Sequence, residues 1–71
     1  MPTIDQAWIQ NKIMSYMVDQ KKVYTSNLYN QFDNYPPDLV SAAVNELIDT
    51  NALMTKVDER GREYLYLGPN R

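Results

Sequence analysis

The chain has 71 residues, 44% of them hydrophobic and 23% charged, a formal net charge of -2, and neither cysteine nor histidine. At this length one core is only just sufficient and a separate catalytic domain has no room, while the composition is that of a folded chain rather than a disordered one. The two missing residue types exclude a disulfide framework, a thiolate nucleophile, an imidazole base and the usual zinc sites, so no cofactor or metal is expected. The mild acidity argues against a sequence-blind nucleic-acid coat, which needs Lys and Arg in excess.

No apolar run approaches the ~20 residues of a membrane span, and the N-terminus has no basic segment before an apolar stretch, which predicts a cytoplasmic chain without membrane contact. Thr3 with Gln6 fits a capping box, and the absence of Pro and Gly up to Gln20 predicts a first helix over residues 3–20. At about 100° per residue, Ile9, Ile13, Tyr16 and Met17 gather on one side and Ile4, Ala7, Trp8, Met14 and Val18 on the opposite one.

Lys21 and Lys22 end that pattern. Val23-Tyr24 is a short β-prone pair, and Thr25 reads as the N-cap of a second helix over residues 25–33 that buries Leu28 and Phe32. "DNYPP" is a turn, with Pro37 suited to the first position of a third helix over residues 37–50, whose apolar face is Val40, Ala43, Val44, Leu47 and Ile48. Asn51 reads as a left-handed C-cap. "LMTKV" and "EYLYL" then alternate around "DERGR", which predicts a hairpin over residues 53–67 with Gly61 at positive φ, Leu65 and Leu67 inward, and Tyr64 and Tyr66 on the other face. The closing "GPNR" is expected to be loose.

Helix, short β pair, helix, turn, helix and hairpin is the order of a winged helix-turn-helix domain, and from Ile13 to Pro69 the chain resembles that family. "IMSYMV" looks like the family's first-helix core, "YTSNLYNQF" like its capped second helix, "LVSAAVNEL" like its recognition helix, and "ALMTKVDERGREYLYLGP" like the last helical residue, a strand, the wing and the closing strand. The fold so implied is α+β and mainly α: a three-helix winged helix-turn-helix over residues 1–71, with a two-stranded C-terminal wing and a short third strand near Val23-Tyr24. The resemblance also implies double-stranded DNA as partner, with the third helix in the major groove, the wing along the backbone or minor groove, and dimers on paired half-sites.

On that mapping Ser41 and Asn45 would read bases, while Lys21, Lys22, Lys56, Arg60 and Arg62 would hold phosphates. The third helix is nevertheless acidic: Asp38, Glu46 and Asp49 share it with no Lys or Arg. On the wing, Asp58, Glu59 and Glu63 interleave with the cations, so the local sum along the chain is zero. Tyr24, Tyr29 and Tyr35 cluster around the second helix, where the stretch from Val23 to Thr55 holds no cation, so partial burial with the hydroxyl in water is the expectation.

Ile4, Ala7, Trp8 and Met14 form an apolar patch of the kind that marks an interface, and pairing with a second copy through the first helix is the simplest closed arrangement. Two functions stay open. One is a small DNA-binding regulator or accessory factor acting as a dimer. The other is a protein-interaction module whose acidic third helix docks on a basic partner, such as a polymerase or nuclease subunit, or imitates DNA. No pair of carboxylates is placed for acid-base work, and Gly61 and Gly68 are too isolated for a phosphate loop, so no enzyme is expected.

Overall fold

In the computed structural model, which describes residues 5–69, three helices lie against one face of a small sheet. The elements are α1 (Gln6–Gln20), β1 (Lys22–Tyr24), α2 (Thr25–Gln31), α3 (Pro37–Asp49), β2 (Leu53–Val57) and β3 (Glu63–Leu67). The sheet is antiparallel in the order β1-β3-β2, so the last strand is the central one and the predicted third strand is its edge partner. This arrangement is compatible with a winged-helix topology.

The start of α1 differs from the expected capping box. Thr3 and Ile4 lie outside the described residues, and Asp5 caps the helix by accepting the Trp8 N–H at 2.9 Å, an interaction worth about 1 kcal/mol. Its C-terminus turns at Lys21, a non-glycine residue at φ 69 whose N–H donates to the Met17 carbonyl.

Thr25 is not a cap. The chain passes straight from β1 into α2, so Tyr24 occupies the cap position without a side-chain bond, and Thr25 is already helical. Its hydroxyl is buried and finds no hydrogen-bond partner among the described residues. The helix ends at Gln31, two residues short of the expected end, and Phe32 turns away to enter the core.

The core gathers Ile9, Ile13 and Met17 of α1, Leu28 and Phe32, the α3 face of Val40, Ala43, Val44 and Leu47, and Val23, Leu53 and Leu65 from the sheet. The second α1 stripe divides. Trp8 and Met14 are half-buried at the core's edge, Trp8 meeting Tyr35 edge-on at 5.5 Å, whereas Ala7 is exposed and Val18 is 57% exposed. Tyr29 and Tyr35 pack against the same core.

Helix α3 ends as the sequence predicts. Asn51 adopts φ 64, its N–H donates to Ile48, and the Ala52 N–H reaches back to Leu47 at 2.9 Å, a Schellman motif. The first residue of the expected loose tail is instead part of this turn: Gly68 is buried and its N–H donates to the Ala52 carbonyl at 2.9 Å.

Candidate nucleic-acid interface

Strand alternation sorts the side chains of the sheet onto two faces. Val23, Leu65 and Leu53 turn toward the helices and are buried. The register pairs Lys22 with Tyr66 and Tyr24 with Tyr64 on one side of β3, and Met54 with Tyr66 and Lys56 with Tyr64 on the other. These residues therefore share the face turned away from the helices, and Arg62, two residues before Tyr64, joins them.

The three tyrosines there are half-buried and contiguous. Tyr24 and Tyr64 have ring centroids 6.0 Å apart in an edge arrangement, and Tyr64 and Tyr66 lie 6.1 Å apart. Cations lie over the rings: the Arg62 guanidinium 4.2 Å from the Tyr24 centroid, the Lys22 ammonium 4.6 Å from that of Tyr64, and the Lys56 ammonium 5.7 Å from that of Tyr66. All three cationic side chains belong to exposed residues, a setting in which a cation over an aromatic face contributes about 0.5–1 kcal/mol.

Asp58 organises the wing beneath them. One carboxylate oxygen accepts the N–H groups of Arg60 and Arg62, each at 2.9 Å, and the other accepts the Tyr24 hydroxyl at 2.8 Å. With the Gly61 N–H donating to the Asp58 carbonyl and Gly61 at φ 80, this is a turn closed by a glycine bulge. The Arg62 N–H, then the Tyr24 hydroxyl, hold the Asp58 carboxyl below its ordinary value of 3.8, and the same bond to Asp58 raises the Tyr24 hydroxyl above its ordinary 10.0.

A depressed folded-state pKa means that Asp58 contributes stability above its unfolded value, and that this contribution fades as pH falls through the folded one. The Arg60 and Arg62 amide signals, followed by NMR through acid titration, should therefore move with a midpoint below 3.8. A midpoint at or above that value would contradict the linkage.

The structure thus brings together Lys22, Lys56 and Arg62, with Lys21 and Arg60 exposed at the two ends, and adds Tyr24, Tyr64 and Tyr66. It does not bring Ser41 and Asn45 to them. On α3, Asn45 is exposed beside exposed Asp38, Glu46 and Asp49, while Ser41 is half-buried. Sequence reasoning separated Tyr64 and Tyr66 from Leu65 but left Tyr24 with Tyr29 and Tyr35; the missed signal was the period-two match of "KVY" to "YLY".

A hollow of about 160 Å³ opens where α2 meets the start of α3, lined by Tyr29, Phe32, Asp33, Tyr35, Pro37 and Val40. Asp33 is its one carboxyl. Among the described residues, no helix is long and apolar enough to cross a membrane, and no group of three His, Cys, Asp or Glu is placed to hold a metal ion. Comparison of the chain with protein-family models, with curated proteins and with solved structures found no match.

Proposed function

We propose that the chain is a winged-helix DNA-binding domain, a transcriptional regulator or accessory factor, that grips the phosphate backbone through its wing and β1. The observation that carries this reading is the gathering of Lys22, Lys56 and Arg62 on one sheet face, although the wing stretch that holds the last two is balanced by acids. Glu63 pairs with Val57 on the opposite face, and Asp58 is engaged by the turn. Lys21 and Arg60 extend the positive rim, and Asn45 is the remaining base reader, since Ser41 is half-buried.

Each phosphate contact releases condensed counterions, so three contacts give a log-log salt slope of about -2.7 and a loss of about 40-fold between ~50 and ~200 mM salt. Fluorescence anisotropy with a labelled duplex tests this. Binding that ignores salt, or no binding at the lower concentration, would contradict the reading.

The charge on α3 favours a second reading. Asp38, Glu46 and Asp49 are exposed, and no cation lies between Pro37 and Asp49, so this helix suits a basic protein partner, with charge complementarity steering association. The second reading takes the α3 surface on which Asn45 also lies, so it would replace base reading by that helix and leave the cations of the sheet face free.

The proposal includes pairing with a second copy through α1, supported by exposed Ala7 and Val18 next to half-buried Trp8 and Met14. Ile4 falls outside the described residues. Sedimentation should show a dimer for the wild type and a monomer for Ala7→Arg, which adds charge to the patch without entering the core. A monomeric wild type would remove this part of the proposal.

A further inference from the structure

The tyrosines on the sheet ask for a partner that phosphate contact alone does not supply. Backbone gripping needs only Lys22, Lys56 and Arg62, and a duplex keeps the faces of its bases stacked on each other. Tyr24, Tyr64 and Tyr66 nevertheless stand side by side on the face turned away from the helices, the first pair edge-on and the second tilted by 48°, with centroid steps of 6.0 and 6.1 Å. None of the three lies in the buried core, which Val23 and Leu65 fill from the other side of the same strands.

We infer that this face binds single-stranded nucleic acid, stacking about two or three bases on Tyr24, Tyr64 and Tyr66 while Lys22, Lys56 and Arg62 take the flanking phosphates. Ring surface is matched by unpaired bases, whose faces are free, and each ring has a cation within 6 Å of its centroid. The long, exposed side chains of Lys22, Lys56 and Arg62 can swing from ring to phosphate as a base arrives. An acidic peptide would satisfy the cations but leave the ring faces without a partner.

The wing turn fixes the Tyr24 end of the platform. Asp58 holds the Tyr24 hydroxyl at 2.8 Å and, through its bond to the Arg62 N–H, fixes the backbone that carries the guanidinium lying over the same ring. The Asp58 carboxylate is therefore occupied by three donors, one of them the Tyr24 hydroxyl.

The inference deepens the DNA reading and shares its cations, so its test must separate the two. The full chain is titrated against labelled oligo(dT) and oligo(rU) of about 12 nucleotides and against a mixed-sequence duplex of the same length, at about 50 mM salt. The single strands should bind more tightly than the duplex. Tyr66→Leu should weaken their binding by on the order of tenfold, the loss of one stacked base, while Tyr66→Phe keeps it; duplex binding, which stacks no free base on the ring, should weaken by much less than single-strand binding.

A duplex preferred over both single strands, with Tyr66→Leu equal to wild type on all three ligands, would overturn the inference and leave the DNA reading standing. Absence of binding to any of them would overturn both. The ring-proton signals of Tyr64 and Tyr66 in the wild type decide the matter without a variant: upfield movement on adding oligo(dT) or oligo(rU) reports stacking, and immobility during saturable binding refutes it.

Discussion

Gly68→Ala should strongly destabilise the domain. A Cβ at this position would overlap the Asn51 carbonyl and come within 3.1 Å of the Met54 side chain. The Met54 side chain can shift. The Asn51 carbonyl cannot, because the Schellman turn holds Asn51 at φ 64 between the Ile48 and Leu47 hydrogen bonds, and the Gly68 N–H is itself tied to Ala52. Overpacking of this kind costs about 1–3 kcal/mol or more, against the roughly 3–5 kcal/mol that a core of this size supplies. Since 1 kcal/mol shifts the melting temperature of such a domain by about 4–8 °C, the variant should melt some ~10–20 °C lower.

Gly61→Ala is the comparison that isolates the clash. Gly61 also has a special conformation, φ 80, but nothing stands within 4 Å of the added carbon, so only the left-handed strain of about 1–2 kcal/mol applies. Thermal melts by circular dichroism should rank wild type above Gly61→Ala above Gly68→Ala. Equal melting of the last variant and the wild type would show that β3 does not close on the α3 turn as described.

The second large effect concerns binding. Lys22→Gln, Lys56→Gln and Arg62→Gln combined should abolish duplex binding at about 50 mM salt and flatten the salt dependence, because the three phosphate contacts behind a slope of about -2.7 are removed together. The fold should survive, since all three residues are exposed and the attraction of each cation to its tyrosine ring is worth only about 0.5–1 kcal/mol. Asn45→Ala should cost far less, within the roughly 1–3 kcal/mol of one bidentate base contact, and should leave the salt slope intact. If the triple variant bound as tightly as wild type, the cations of the sheet would have no part in function.

Element order and most boundaries were legible because each rested on a local signal. Pro37 opens α3, Asn51 closes it in the left-handed region, and Gly61 turns the wing, all within a few residues of the chemistry that requires them. Lys21 at φ 69 carried no such signal, since Lys has no preference for that region. Thr25 was misread because a cap preference is local, whereas the pairing of β1 with β3 fixes where α2 begins.

The candidate site was legible in its residues and hidden in its grouping. Lys56, Arg60 and Arg62 could be named from the wing, yet their charge summed to zero along the chain because Asp58, Glu59 and Glu63 interleave with them. The fold sums charge over a face instead, sending Glu63 to the opposite side, while Asp58 stays beside Tyr24 as an anion engaged by the turn and Glu59 is exposed. Tyr24 meets Tyr64 only through a pairing of strands far apart in the chain, and no helical or strand period of either segment alone reports it.

The most direct test of the account is an NMR shift map of the labelled chain on adding mixed-sequence duplex at about 50 mM and then about 200 mM salt. Shifts are expected at Lys22, Lys56, Arg62 and Tyr64 that fade at the higher salt, with Asn45 the residue of α3 that moves and Asp38 and Asp49 unmoved. Silence at the sheet face in low salt, or shifts confined to the acidic surface of α3, would contradict the account.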